Sequence, residues 1–363
     1  MKVSVTQENL SKALGIVSRT ASSRTTLPIL NNIFIKAEAG ELTLSATNLE
    51  TATTQKVPAS TKTNGVTTVP ARLITEFVSN LPKVNIDIDL TDGKMKITAG
   101  GYKSVINTTP ADDFPALPEL TSKTTLTIPS EDLKKAIAST SLVASSDTTR
   151  PILTGVYLHS LEGKLYMAAT DGYRLAEKNI MSVDTDISAI VPASTLNDVS
   201  RVIGDDVKEV VIGVGEDQIE FIIGQTIINS RLIDGNFINY RQLIPTSTET
   251  EAILDRAELL RITKISELFA RESAGSITLN ISSAKSTLSV HSIASELGEN
   301  DAETEAETKG DGTITLNSKY LLDALNQIDD DVVKIQFNGK LAPILITADK
   351  NADYKHIIMP VKS

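Results

Sequence analysis

Three basic residues recur at one register in this chain. Lys12, Lys135 and Arg261 each stand two positions after the leading leucine (Leu10, Leu133, Leu259) of a segment that reads as an amphipathic helix. At about 100° per residue that offset is roughly 200°, on the helix face opposite the leucine. Cations held there meet solvent, and their chemistry is contact with phosphate oxygens, which positions a polyanion without reading its sequence. Arg72 and Lys319 share a second register, where the middle copy carries Ser194. Helices carry Lys and Arg on wetted faces in any case, so the argument rests on the recurrence and not on any single residue.

Other reactive types point nowhere. His159 and His291 sit in strand-like runs, His356 precedes Ile357-Ile358, and none has a second ligand at metal spacing. Gly213-Val214-Gly215 lacks the rest of a dinucleotide fingerprint, and neither a P-loop nor a G-x-S-x-G is present. Asp329-Asp330-Asp331 follows a helix and precedes a strand, as a polar turn does. The chain has no Cys, which excludes disulfides and thiolate metal sites. These residues do not describe an enzyme, and no cofactor is expected.

The elements that hold the cations are written three times. A short apolar entry, a helix of about ten residues and a β-rich run begin at Val69, Val191 and Leu316, 122 and 125 residues apart. A solenoid repeat runs to roughly 20 to 50 residues, so this period is a domain. The helices carrying the first register open each domain, from Thr6, Ser130 and Asp255. Leu10, Ala13, Leu14 and Val17, and then Leu133, Ala136 and Ile137, give the stripe of one buried face. Ser130 and Asp255 are expected N-caps, with Glu258 completing a capping box; Thr263 interrupts the third stripe. Alternating runs such as 33–37, 40–46 and 163–169 read as half-buried antiparallel strands. Each domain is thus two similar halves, each a helix with several strands. The fold class is α+β, with domains at 1–122, 123–249 and 250–363. Residues 295–312, with Glu296, Glu299, Asp301, Glu303, Glu305, Glu307 and Asp311 against Lys309, are expected to form a solvated loop.

Composition sets the outer limits. The 363 residues are 40% hydrophobic but only 4% aromatic, so the cores are aliphatic, and no apolar run approaches the ~18 residues of a membrane span. A cytoplasmic protein is expected. The net charge of −11 argues against a generic nucleic-acid binder, though distribution and not the sum decides which face meets a polyanion.

Six motifs then occur in order: Leu27-Pro28-Ile29-Leu30, Thr67-Thr68-Val69-Pro70-Ala71-Arg72, Ala111-Asp112-Asp113-Phe114-Pro115, Ala169-Thr170-Asp171-Gly172-Tyr173-Arg174-Leu175-Ala176, Leu232-Ile233-Asp234-Gly235-Asn236-Phe237 and Ile358-Met359-Pro360-Val361. Over essentially its whole length the chain resembles the bacterial DNA polymerase III beta subunit family, the replicative sliding clamps. The resemblance implies a DNA clamp fold. Three domains per chain would dimerise head to tail into a ring around duplex DNA, helices lining the hole and sheets outside, near the nucleoid. It implies as partners the replicative polymerase, an ATP-dependent clamp loader and other proteins with clamp-binding motifs, with no catalysis by the clamp itself. An acidic protein–protein scaffold and a hydrolase with a hidden site are the readings from other classes.

The same resemblance implies a peptide pocket between domains two and three. Its walls would be Leu153, Thr170, Gly172, Tyr173, Arg174, Leu175, Leu243, Pro343, Ile357, Ile358, Met359, Pro360 and Val361, with Arg150 at the rim. Ile238 and Gln242 stand where the family often has Pro and Arg, which bears on rim charge and peptide preference. Among basic positions Arg24 and Arg72 match, whereas Ala193 and Ser194 stand where the family often carries Arg or Lys, and Ser146 and Asp147 replace residues that touch DNA in some members. At the subunit contact, Lys103 would lie on an edge strand facing the acidic segment, with Leu268 and Phe269 packed against Ile106.

Overall fold

The structure, a computed structural model, describes residues 1–21, 27–118, 120, 123–296 and 298–361. Among the described residues six α-helices, α1 (Gln7–Val17), α2 (Ala71–Ser79), α3 (Ser130–Ser141), α4 (Ala193–Val202), α5 (Arg256–Ala270) and α6 (Ser318–Asn326), alternate with strands gathered into four sheets. The described strand pairings are antiparallel. The chain packs as two compact units, residues 1–131 with 198–232 and residues 132–197 with 233–363.

In the first unit, α1 starts where the Thr6 hydroxyl accepts from the Asn9 N–H. It buries Leu10, Ala13, Leu14 and Val17, the stripe expected from the sequence. Beneath it and α2 lie a five-stranded sheet (60–63, 2–6, 85–91, 94–99, 102–107 in spatial order) and an eight-stranded one (124–129, 209–214, 218–223, 226–231, 51–58, 41–47, 32–38, 65–70). Val3, Val5, Ile33, Ile35, Leu42, Leu44, Ile86, Ile88, Met95 and Ile97 close the core. The eight-stranded sheet crosses the boundary expected at residue 122, because Thr51–Pro58 pairs with Thr226–Arg231. Ser130 is not an N-cap. It is the first residue of α3, and its hydroxyl donates to the Val207 carbonyl.

The second unit holds a nine-stranded sheet (188–192, 155–161, 164–170, 174–182, 354–358, 344–348, 332–337, 250–255, 307–309) and a four-stranded one (298–305, 287–294, 276–282, 312–317). Helix α5 begins at an Asp255 cap, 2.7 Å from the Glu258 N–H. The expected capping box is only half formed, since the Glu258 carboxylate pairs with Arg261 at 2.8 Å. Thr263 is fully buried in the α5 stripe.

The acidic segment corrects a second expectation. Residues 298–305 and 307–309 are strands, each at the edge of its sheet. Glu299, Asp301, Glu303, Glu305 and Glu307 point outward, while Asn300, Ala302, Thr304, Ala306 and Thr308 turn inward. The Asn300 amide donates to the Ser266 hydroxyl of α5 at 2.9 Å. A period of two with small polar residues inside forms a strand that carries almost no hydrophobic signal.

Candidate functional site

Most of the expected pocket residues converge in the second unit, around the turn 170–174 and the C-terminal strand. The turn is built from its own side chains. Asp171 Oδ1 accepts from the N–H groups of Tyr173 (2.8 Å) and Arg174 (3.0 Å), and the Thr170 hydroxyl donates to the Arg174 carbonyl at 2.6 Å. Gly172 sits at φ +94°, a conformation glycine adopts without strain. Strand Arg174–Ser182 then pairs with Tyr354–Ile358, placing Arg174 opposite Ile358 and Leu175 opposite Ile357. The chain continues alongside, with Met359 N–H donating to the Tyr173 carbonyl at 2.8 Å.

The side chains divide by exposure. Tyr173 (64% exposed), Ile238, Leu243, Met359 and Val361 offer apolar surface to solvent, joined by half-buried Leu153, Pro343 and Pro360. Thr170, Leu175, Ile357 and Ile358 are buried, and Leu175 and Ile357 pack with Ala168, Tyr240 and Leu345 as the floor rather than the wall. Arg150 is exposed and ion-paired to Asp147 at 3.1 Å, and Gln242 is exposed. The Thr149 hydroxyl and N–H, and then Arg150, hold the Asp147 carboxyl below the usual carboxylate range.

Arg174 departs from its expected role. Only 10% of its side chain is exposed, and all three guanidinium nitrogens are engaged: Nε with Asp171 (3.1 Å), Nη1 with Asp323 of α6 (2.5 Å) and Nη2 with the Leu142 carbonyl (2.9 Å). Its guanidinium also stacks 4.4 Å over the Tyr320 ring. It ties the turn to α6 and to the end of α3, which takes up three of its five N–H donors.

A second support was invisible in the sequence. Glu177, 1% exposed, accepts from the Tyr240 hydroxyl (2.6 Å) and pairs with Arg241 (2.9 Å) and Lys355 (3.2 Å). Tyr240 also meets His159 Nε2 at 2.8 Å, and Arg241 lies 4.4 Å over Tyr166. Burial pushes the His159 imidazole down and the Tyr240 hydroxyl up, so both stay neutral. This network anchors the short 3₁₀ turn Tyr240–Leu243, and with it the rim residues Gln242 and Leu243. Its bonded partners lie up to 178 residues apart in the chain. The only local clue is a buried-strand histidine without a ligand.

The basic residues are exposed, as their registers require: Lys12, Arg72, Lys135, Arg261 and Lys319. Three carry carboxylate partners, Arg72 with Glu76 (2.9 Å), Lys135 with Asp329 (3.1 Å) and Arg261 with Glu258 (2.8 Å). Exposed pairs of this kind contribute about 0–1 kcal/mol, little resistance to a phosphate that competes for the cation. Arg24 lies outside the described residues.

Of the expected contact residues, Lys103 lies on the edge strand Tyr102–Asn107, and Leu268 (50% exposed) and half-buried Phe269 lie on α5. Ile106 is the exception. At 6% exposure it faces Met95 inside its own core, so the outward apolar residues of that strand are Tyr102 and Val105.

Family comparison decides what this assembly of parts is. Three models of the DNA polymerase III beta subunit match in order: the N-terminal domain over residues 1–118, the central domain over 127–239 and the C-terminal domain over 241–362. The chain belongs to the DNA polymerase III beta subunit family. Curated relatives include the beta sliding clamp of Synechocystis sp., 29% identical with 100% of this chain and 99% of that one covered. The beta sliding clamp of Bacillus subtilis is 27% identical with both chains covered in full. The crystal structure of the Bacillus subtilis DNA polymerase sliding clamp superposes with a TM-score of 0.96 at 28% identity, covering 100% of this chain and 99% of that one. A Pseudomonas aeruginosa sliding clamp bound to griselimycin gives 0.95, also at 28% identity with both chains covered in full. The family's fold, α+β with antiparallel sheets, is the fold of this chain.

Proposed function

We propose that this protein is a DNA sliding clamp without catalysis of its own. Two copies of its three clamp domains (1–122, 123–249, 250–363) close a ring around duplex DNA, and docked partners are thereby tethered for processive synthesis. The observation that carries the reading is a pair of unpaired sheet edges with opposite charge. Strand Tyr102–Asn107 ends the five-stranded sheet; Lys103 on its outer face lies opposite Thr98, and further along the same face Lys96 lies opposite Val105 and Lys94 opposite Asn107. Strand Gly298–Glu305 ends the four-stranded sheet and presents Glu299, Asp301, Glu303 and Glu305. An unpaired edge is a template for another strand, and one edge of each kind per chain makes a heterologous contact that closes after two steps. Exposed Tyr102 and Val105 beside one edge, and Leu268 beside the other, supply apolar anchors worth about 1.5–3 kcal/mol each when buried.

Within the ring, Lys12, Arg72, Lys135, Arg261, Lys319 and Arg24 would meet phosphates. The apolar patch of Tyr173, Leu243, Met359 and Val361 would receive short motifs of the replicative polymerase, the clamp loader and other partners. Sedimentation tests the closure. The native protein is expected at twice its 38.9 kDa chain mass. Leu268→Ala with Phe269→Ala, or Asp301→Lys with Glu303→Lys, is expected to give monomers. A dimer that survives both changes would contradict the assignment of the edges.

A further inference from the structure

The turn that frames the C-terminal patch occurs a second time, in the first unit, over residues 47–51. The Thr47 hydroxyl donates to the Thr51 carbonyl (3.0 Å), as Thr170 does to Arg174 (2.6 Å). Leu49 N–H donates to the Thr47 hydroxyl (3.1 Å), as Gly172 does to Thr170 (3.1 Å). Asn48 Oδ1 accepts from the N–H groups of Glu50 (3.0 Å) and Thr51 (2.7 Å), repeating Asp171 with Tyr173 and Arg174. Arg231 N–H donates to the Glu50 carbonyl at 2.9 Å, as Met359 does to Tyr173 at 2.8 Å. Ala52 faces Asn229 across the strand pair as Leu175 faces Ile357.

The copy keeps the frame and changes the lining. A cavity of about 360 Å³ opens there, bounded by Leu49, Glu50, Pro115, Pro118, Asn229 and Arg231. Where the C-terminal patch has Tyr173, Ile357 and Met359, this cleft has Glu50, Asn229 and Arg231. Asn229 is 7% exposed, and its Oδ1 has no donor. Neither the Arg231 guanidinium nor the Glu50 carboxylate has an ion-pair partner among the described residues. Leu49 is held at φ +77°, where its counterpart is Gly172 at +94°. A half-exposed leucine in the left-handed region is strained, and such strain collects at binding sites.

We infer that this cleft is a second docking site, one that takes a neutral, carboxamide-bearing segment of a partner protein. One cation and one anion at the mouth cancel, so an acidic or basic side chain gains one contact and is repelled by the other. A glutamine or asparagine side chain satisfies both. Its carbonyl accepts from Arg231, and its NH₂ donates to Glu50 or to the orphaned Asn229 oxygen, while Leu49, Pro115 and Pro118 cover the stem. A buried acceptor left without a donor is costly, which favours the occupied state. The frame comparison rests on the docking reading of the C-terminal patch; the orphaned oxygen, the unpaired charges and the strained leucine do not.

The test is a selection of random heptapeptides displayed on phage against the intact protein, with the recovered peptides re-measured on three variants. One class, rich in Gln or Asn, is expected to lose at least tenfold in affinity on Arg231→Ala and nothing on Met359→Glu. Leu49→Gly is expected to raise the melting temperature and still weaken that class. An apolar class should show the opposite dependence on the first two variants. Were the apolar class missing while the Arg231-dependent class appeared, the C-terminal reading would fail and this one would stand. Failure to recover any Arg231-dependent class, or unchanged affinity on Leu49→Gly, would overturn the proposal and leave a cleft filled by water.

Discussion

Arg174 should govern the stability of the second unit rather than the chemistry of ligand contact. Arg174→Ala removes a side chain that is nine-tenths buried and leaves Asp171 and Asp323 facing a gap. Breaking a buried ion pair by deleting one partner costs about 3–5 kcal/mol. The two aspartates keep 17% and 30% exposure, so solvent recovers part of that. Loss of the stacking on Tyr320 adds about 1 kcal/mol back. The expected destabilisation is therefore about 3 kcal/mol, which at a urea slope of about 3 kcal/mol/M lowers the midpoint by about 1 M. Arg174→Lys keeps one charge contact but not the planar fork, and should fall between. Urea unfolding followed by circular dichroism gives the stability, and calorimetry with an apolar docking peptide gives the affinity. Peptide affinity is expected to fall in step with stability, because the 170–174 turn loosens. A variant with the native urea midpoint and no peptide binding would refute the reasoning, since Arg174 would then be a contact and not a tie.

Two further outcomes follow from the buried polar groups. Tyr240→Phe removes a hydrogen bond to the buried Glu177 carboxylate and should cost about 1.5–3 kcal/mol in urea unfolding, with faster tryptic cleavage after Arg241 as the turn frees; unchanged cleavage would argue against the anchoring role. Burial, and to a smaller degree Arg174, pushes His356 down to about 3, against about 6.5 in an unfolded chain. The unfolded state therefore binds the extra proton, and stability present above pH 6.5 is lost as pH falls toward 3, by up to about 1.4 kcal/mol per pH unit. His356→Phe should flatten that acid slope by one proton across midpoints measured at pH 7, 5.5 and 4, and an unchanged slope would assign the effect elsewhere.

What was legible in the sequence was what is local. Leu10, Leu14 and Val17 announce a helix because their spacing alone buries one face, and Lys12 is outside for the same reason. The strand 298–305 escaped because its inner face is Asn300, Ala302 and Thr304, and hydrophobic periodicity has nothing to register there. Pairings such as Leu175 with Ile357 and Ala52 with Asn229 carry the sheets across the expected domain boundaries, and no local pattern encodes a partner so far along the chain. Ile106 and Val105 show the limit of an edge strand: one register step decides which of two apolar neighbours faces the core. The residues of the expected pocket came from a resemblance, and which of them are exposed and which buried needed the structure.

The central claim is topological, and retention on DNA of different topology tests it most directly. Clamps loaded onto nicked circular duplex are challenged with raised salt, and half of the sample is then linearised. Phosphate contacts alone release counterions and weaken steeply with salt, whatever the shape of the DNA. The account predicts that the protein stays on the circle and is lost once the circle is cut. Equal loss from circle and line would contradict it, because the protein would then be held by contacts and not by encirclement.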